Sequence, residues 1–247
     1  MEPEMRTERS TVRRNPVRAV YDRERIDAIL DEALICHAGF VIDGEPRVLP
    51  TIHARIGNRL VMHGAASNAM LGAMRSGAPV CVTVTILDGL VLARSAFRHS
   101  MNYRSAVIFG RARSLERESE KLAALRAIVE HVMPGRWDDA RPPSAEELAA
   151  TLVMEVEIEE ASAKIRTGPP GDKEADLALP VWAGEIPLRL AACAPIAAPG
   201  VDSALAPPDY VVEYVRVSRA AAELVSPCGR EGDMTPEALS ERNHEQE

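Results

Sequence analysis

LICHAGFVIDGEPRVLPTIHARI, residues 34–56, is the stretch whose reading decides the fold. Two apolar runs flank Asp43-Gly44, the residue types that tolerate the two positive φ angles of a tight hairpin turn. Residues 34–42 and 47–56 therefore read as an antiparallel pair. Pro50 cannot donate to a ladder, which places the second strand at an edge, a bulge or a strand end.

The same pattern continues on both sides. Gly57-Asn58 turns the chain into RLVMH (59–63). APVCVTVTIL (78–87) alternates, with Val80, Val82, Val84 and Ile86 on one face. Asp88-Gly89 repeats the hairpin signal and leads into LVLARSAF (90–97). YRSAVIFGRARSL (103–115) reads as a strand in which Gly110 marks a bulge or a close backbone approach. TLVMEVEIEEASAKIR (151–166) reads as one long strand with Leu152, Met154, Val156 and Ile158 inward. Short strands joined by tight turns point to a mainly β, closed antiparallel barrel with a few flanking helices. Those helices are DRERIDAILDEAL, with Ile26, Ile29, Leu30 and Ala33 on one stripe and Asp22 as cap, then 116–132, then a short one begun by Ser144.

Composition narrows the function. Twenty-nine basic against 37 acidic residues give a net charge of −8, which argues against general affinity for nucleic acid or an anionic membrane. No apolar run approaches the roughly 20 residues of a membrane span, and no apolar stretch follows the N-terminal arginines as in a secretory signal. The cysteines, Cys36, Cys81, Cys193 and Cys228, form no C-x-x-C pair, and the histidines lack metal-ligand spacing. Reduced thiols within strand-like runs imply a cytoplasmic protein, and no metal site is expected. Residues 1–18 read as a flexible arm, 19–190 as the barrel domain, and 191–247 as an Ala/Pro-rich and acidic tail, disordered at least over 219–247. No G-x-G-x-x-G follows a strand, so a Rossmann site is not expected. Cys36 and His37 cannot form a dyad by adjacency, because neighbours on a strand point to opposite faces.

LVMHGAASNAML (60–71) breaks from strand into helix. A helix start after a strand is a seat for phosphate, and Ser67 and Asn68 are equally ordinary helix caps. On these residues alone both readings stand.

Taken in order, ILDEALICHAGFVIDGEPRVLPT, LVMHGAASNAML, PVCVTVTILDGLVLARSAFRHSMNYRSAVIFGRA, EEASAKIRTGPP and LPVWAGEIPL resemble the pyridoxamine 5′-phosphate oxidase-related flavin proteins over residues 14–190. The branch most similar is that of the flavin-nucleotide-binding proteins, which also resembles the 5-nitroimidazole-resistance reductases. The resemblance implies a split-barrel homodimer with FMN in the groove between subunits. It places Pro50, Thr51 and Ile52 along the isoalloxazine ring. Ser67 matches a phosphate-binding serine, while Asn68 and Ala69 stand where the oxidases carry two basic residues. Arg75, Lys164 and Arg166 are the candidate substitutes. Ser105 matches a polar flavin contact, with Ser95, Asn102 and Tyr103 around it, and Trp182 matches an aromatic segment near the flavin. His63, beside Gly64, matches a histidine near the flavin and is the candidate proton donor. The residues that recognise pyridoxal have no clear counterpart, so vitamin B6 oxidation is not expected. The implied activity is FMN-dependent electron transfer from a reduced nicotinamide to a small organic acceptor. Two alternatives share the barrel: a flavin- or haem-binding protein without turnover, with His37, His53, His63 or His99 as axial ligand, and a deazaflavin (F420) reductase.

Overall fold

Asp43 and Gly44 turn the chain with φ of 52° and 81°, the conformation their types predict. The computed structural model describes residues 5–214. In chain order the elements are β1 (Ala19–Val20), α1 (Arg23–Glu32), β2 (Ile35–Ile42), β3 (Glu45–Ile52), β4 (Ala54–Ile56), β5 (Arg59–Ala65), α2 (Ala69–Arg75), β6 (Pro79–Leu92), β7 (Ser100–Ser114), α3 (Glu118–Val132), α4 (Arg136–Asp139), α5 (Ala145–Ala150), β8 (Thr151–Glu157), β9 (Glu160–Arg166), β10 (Gly184–Pro187) and α6 (Asp209–Val212).

The strands pair antiparallel in the order β3-β2-β6-β7-β8-β5-β4. The first part of β7 pairs with β9 and its end with β8, and this fork splits the barrel. The sheet does not close, because its two ends, β3 and β4, are not paired with each other. The fold is thus a split rather than a closed barrel. Pro50 lies on the edge strand β3, as its missing N–H requires.

Alternation builds the core. Cys36, Ala38 and Phe40 of β2 point inward with Val80, Val82 and Val84 of β6 and Ala106 and Ile108 of β7. They meet Ile26, Ile29 and Leu30 of α1 and Met70, Leu71 and Met74 of α2. Asp22 caps α1, accepting from the Arg25 N–H at 3.0 Å. A second cluster, Ala54, Val61, Leu115, Ala124, Ile128 and Val153, seats α3 on the other half of the barrel.

Four sequence expectations are corrected. Asp88-Gly89 is not a hairpin: β6 runs through it, with a register shift between Leu87 and Gly89. Asp88 bulges toward the buried Arg104, and β10 passes so close that a Cβ on Gly89 would sit 2.9 Å from the Ile186 carbonyl oxygen. Residues 151–166 are two strands, because β8 continues the β5 half of the barrel while β9 crosses to β7. The run 47–56 is likewise divided at His53. The expected flexible arm is tied down over residues 5–18: the Met5 carbonyl accepts from the Ala161 N–H, and Thr7 and Arg9 both donate to Glu160. Within the expected tail, Tyr210 bonds Arg136 and Asp139, whereas 219–247 lies outside the described residues. Among the described residues no helix is long and apolar enough to cross a membrane.

Candidate functional site

Strand registry aligns distant residues on the outer face of the sheet. Ile52 pairs with Ile35, Thr85 with Ser105, and Ser105 with Lys164; the pairing of His37 with Thr83 brings Ile35 level with Thr85. Ile52, Ile35, Thr85, Ser105 and Lys164 therefore form one row across β3-β2-β6-β7-β9. Four strand spacings of about 4.8 Å make this row roughly 19 Å long. The Ser105 hydroxyl donates to the Lys164 carbonyl at 3.4 Å. Pro50 lies opposite His37 on the same face, and Tyr103 opposite Arg166. Thr51 faces the other way, paired with Cys36. The face is apolar yet uncovered: Ile35, Val48, Ile52 and Leu87 are all exposed.

The turn between β5 and α2 holds the second group of expected site residues. Asn68, not Ser67, caps α2, its side chain accepting from the Leu71 N–H at 3.2 Å. Ser67 is exposed at the turn. Arg75 lies in the last turn of α2, about 9 Å along the axis from its start, so the helix does not point it back. A Cβ on Gly64 would touch Leu71 at 3.0 Å, which explains glycine there. His63 shares the face of Val61, toward α3, and lies opposite Val153. Its ring is half-buried, its Nδ1 has no hydrogen-bond partner among the described residues, and burial holds its pKa below the ordinary value. Beside this turn, β3 ends at Ile52 and β4 begins at Ala54, which pairs with Val61 of β5.

The remaining histidines differ. His37 is exposed on the outer face. His53 is buried, its Nε2 3.0 Å from the Leu30 carbonyl oxygen and its ring 5.1 Å from that of His131. His99 is exposed, with Nδ1 3.1 Å from the Ser95 carbonyl oxygen. Ser95 starts the turn Ala96–Arg98. Trp182 is 67% exposed and lies over Gly184, away from the row. Asn102 is buried and bonds both Arg166 and Glu185.

At the Lys164 end of the row opens a cleft of about 640 Å³. Arg14, Arg18, Arg98, His99 and Arg166 line it, together with Val17 and Phe97. Arg94 fixes one side, holding Asp172 through its backbone N–H at 3.1 Å and its guanidinium at 2.8 Å. The sequence reading named Arg166 but missed Arg14, Arg18 and Arg98. Solitary arginines in separate segments carry no spacing signal, and only the pairing of Ala19 with Lys164 brings the first segment here.

These elements are matched by known proteins. A family model described as pyridoxamine 5′-phosphate oxidase matches residues 22–165. The chain belongs to the pyridoxamine 5′-phosphate oxidase family. Among solved structures of related chains, the flavocytochrome Anf3 from Azotobacter vinelandii is 38% identical, with 86% of this chain and 98% of that one covered and a TM-score of 0.80. A FAD and haem binding protein from Mycobacterium smegmatis is 37% identical, with 78% and 95% covered and a TM-score of 0.76. A protein assigned to 5-nitroimidazole antibiotic resistance in Bacteroides thetaiotaomicron shares the fold at 24% identity, with 60% and 86% covered and a TM-score of 0.51. No curated protein matches the sequence.

Proposed function

We propose that this member of the pyridoxamine 5′-phosphate oxidase family is a flavin-binding electron-transfer protein that also takes a haem. The observation that carries this reading is likeness over nearly the whole length of two solved chains, one a flavocytochrome and one a FAD and haem binding protein.

The residues fit a flavin. Among the described residues β3 is an edge strand, with backbone groups on one side without a strand partner, at Pro50–Ile52 where the ring is expected. Ile35 and Ile52 offer the ring apolar surface, and Ser105, Tyr103 and Lys164 offer polar groups along the same face. FMN, implied by the family resemblance, needs cations at the start of α2. There Asn68 is engaged as cap, Ala69 offers nothing, and Arg75 lies at the far end. A dinucleotide, FAD, is better served, since cations gather instead at the Lys164 end of the row. When bound, a flavin accepts a hydride and passes electrons on singly or in pairs. The expected donor is a reduced nicotinamide and the expected acceptor a small molecule.

A haem would be held by His63, the best suited of the candidate histidines. Burial lowers its pKa, which favours the neutral form that ligates metals. His53 is committed to Leu30. A second copy of the chain would cover the exposed outer face, making the homodimer that the family resemblance implies.

Heating the purified protein and chromatographing the released flavin tests the cofactor assignment. FAD is the expected product. FMN alone would return the assignment to the mononucleotide.

A further inference from the structure

The arginine cleft differs from other charged surfaces of this chain. Most partly buried arginines elsewhere are paired: Arg23 with Asp27, Arg55 with Asp31, Arg59 with Glu155, Arg94 with Asp172 and Arg104 with Glu32. Among the described residues, Arg14, Arg18, Arg98 and Arg166 form no salt bridge, and no carboxylate lines their cleft. This concentration occurs in a chain of net charge −8.

Arg166 is 8% exposed and anchored by Asn102 and by the Gly168 and Pro169 carbonyls at 2.9 and 3.0 Å, yet its Nε has no hydrogen-bond partner among the described residues. Burial, with Arg18 nearby, holds its pKa below the ordinary arginine value. Like charges gathered this closely repel, and an anion between them relieves the repulsion.

The rim indicates what kind of anion. Phe97 and Val17 stand 89% and 91% exposed beside the arginines, and the Arg98 guanidinium lies 6.0 Å from the Phe97 ring centroid. Cations beside an open aromatic face suit phosphate joined to a base. The volume, about 640 Å³, lies within the range of small-molecule pockets. The position fits as well, since the Arg166 register partner, Tyr103, is next but one to Ser105 in the row.

We infer that this cleft holds the adenosine-diphosphate part of a dinucleotide, with its phosphates on Arg18 and Arg98 and its purine against Phe97. The inference rests on the flavin reading above. The dinucleotide is either FAD itself, laid along the row from β3, or the reduced nicotinamide donor.

The test is calorimetric titration with ADP of the protein as isolated and of protein stripped of flavin, alongside the Arg18→Ala/Arg98→Ala and Phe97→Ala variants. These side chains lie at the surface, so melting temperatures should stay near wild type and show the variants folded. Loss of each arginine should weaken ADP binding roughly tenfold or more, and salt should weaken the wild type. Phe97→Ala should weaken ADP more than inorganic diphosphate. If FAD fills the cleft, only stripped protein binds ADP, and the double variant purifies depleted in FAD. If the donor fills it, flavin-loaded protein binds ADP, and the double variant keeps its flavin while its KM for the nicotinamide rises. ADP binding to neither form, or equally to wild type and double variant, overturns the inference. Flavin content measured in the same preparations keeps the two readings apart: a flavin-loaded protein that ignores ADP loses only the cleft, whereas a protein that never binds flavin loses the function.

Discussion

Asp88 grips Arg104 with both carboxylate oxygens, at 2.9 Å to Nε and 2.7 Å to Nη2. Arg104 is 7% exposed on the inner face of β7 and also bonds Glu32 at the end of α1. Burial disfavours its charge, but the hydrogen bonds to Glu32 and Asp88 outweigh that and hold its pKa above the ordinary value. Arg104→Ala leaves two carboxylates facing each other without their cation and should cost about 3–5 kcal/mol in chemical denaturation. Arg104→Met together with Glu32→Leu and Asp88→Ala should recover part of that loss. A single variant as stable as wild type would show that the network does not hold α1 to the sheet.

Capping of α2 separates Asn68 from Ser67. Asn68→Ala should lower stability by about 0.5–2 kcal/mol, whereas Ser67→Ala should leave it nearly unchanged. Equal losses from both would place the cap elsewhere. Ala69→Arg adds a cation without disturbing the cap, and should raise affinity for FMN in a way that fades with salt.

His63 makes the stability depend on pH. Its folded pKa is lowered by burial, so below the unfolded value of about 6.5 the unfolded chain binds a proton that the folded chain resists. This contribution is complete at neutral pH and is lost as pH falls through 6.5 toward the folded value. In melting curves of the haem-free protein between pH 7.5 and 5, His63→Gln should lose less stability than wild type. Parallel curves would mean that His63 is not the group responsible.

Thiol reactivity should follow burial. Cys36 is fully buried at the sheet core, with its pKa pushed up to about 12, and Cys193 is exposed. At pH 8 an aromatic disulfide reagent should label Cys193 in native protein and reach Cys36 only on unfolding. Labelling of Cys36 at the Cys193 rate, seen by peptide mass mapping, would mean the core opens readily.

Local chemistry explains how much of this was legible. Asp43-Gly44 and Asp88-Gly89 are the same dipeptide, yet only the first makes a hairpin. What separates them is distant in sequence: Arg104 draws Asp88 into a bulge, and β10 crosses Gly89. Likewise Ile158 keeps the apolar alternation of β8 although the chain leaves that strand at Glu157, its N–H bonding the Asn58 carbonyl. Alternation reports which face a residue takes, not which strand it joins. Of the expected site residues, Ile52 and Ser105 came from single-position matches and Lys164 from the need for a cation, and registry sets all three in one row. The arginine cleft draws on residues 14–18, 97–100 and 165–171, and no local pattern connects those segments.

The proposed dimer rests on exposed Ile35, Val48, Ile52 and Leu87. Light scattering should give a mass near twice 26.8 kDa, and Ile35→Glu with Val48→Glu should halve it. A wild-type monomer that still holds flavin would remove the partner copy from the site.

The most direct measurement is the absorption spectrum of the freshly purified protein, before and after reduction by NADH or NADPH. The expected spectrum combines flavin bands with a Soret band; the flavin bands should bleach on reduction, and the Soret band should weaken or shift in His63→Ala. A protein that shows neither set of bands, even after incubation with FAD and haemin, would contradict the assignment.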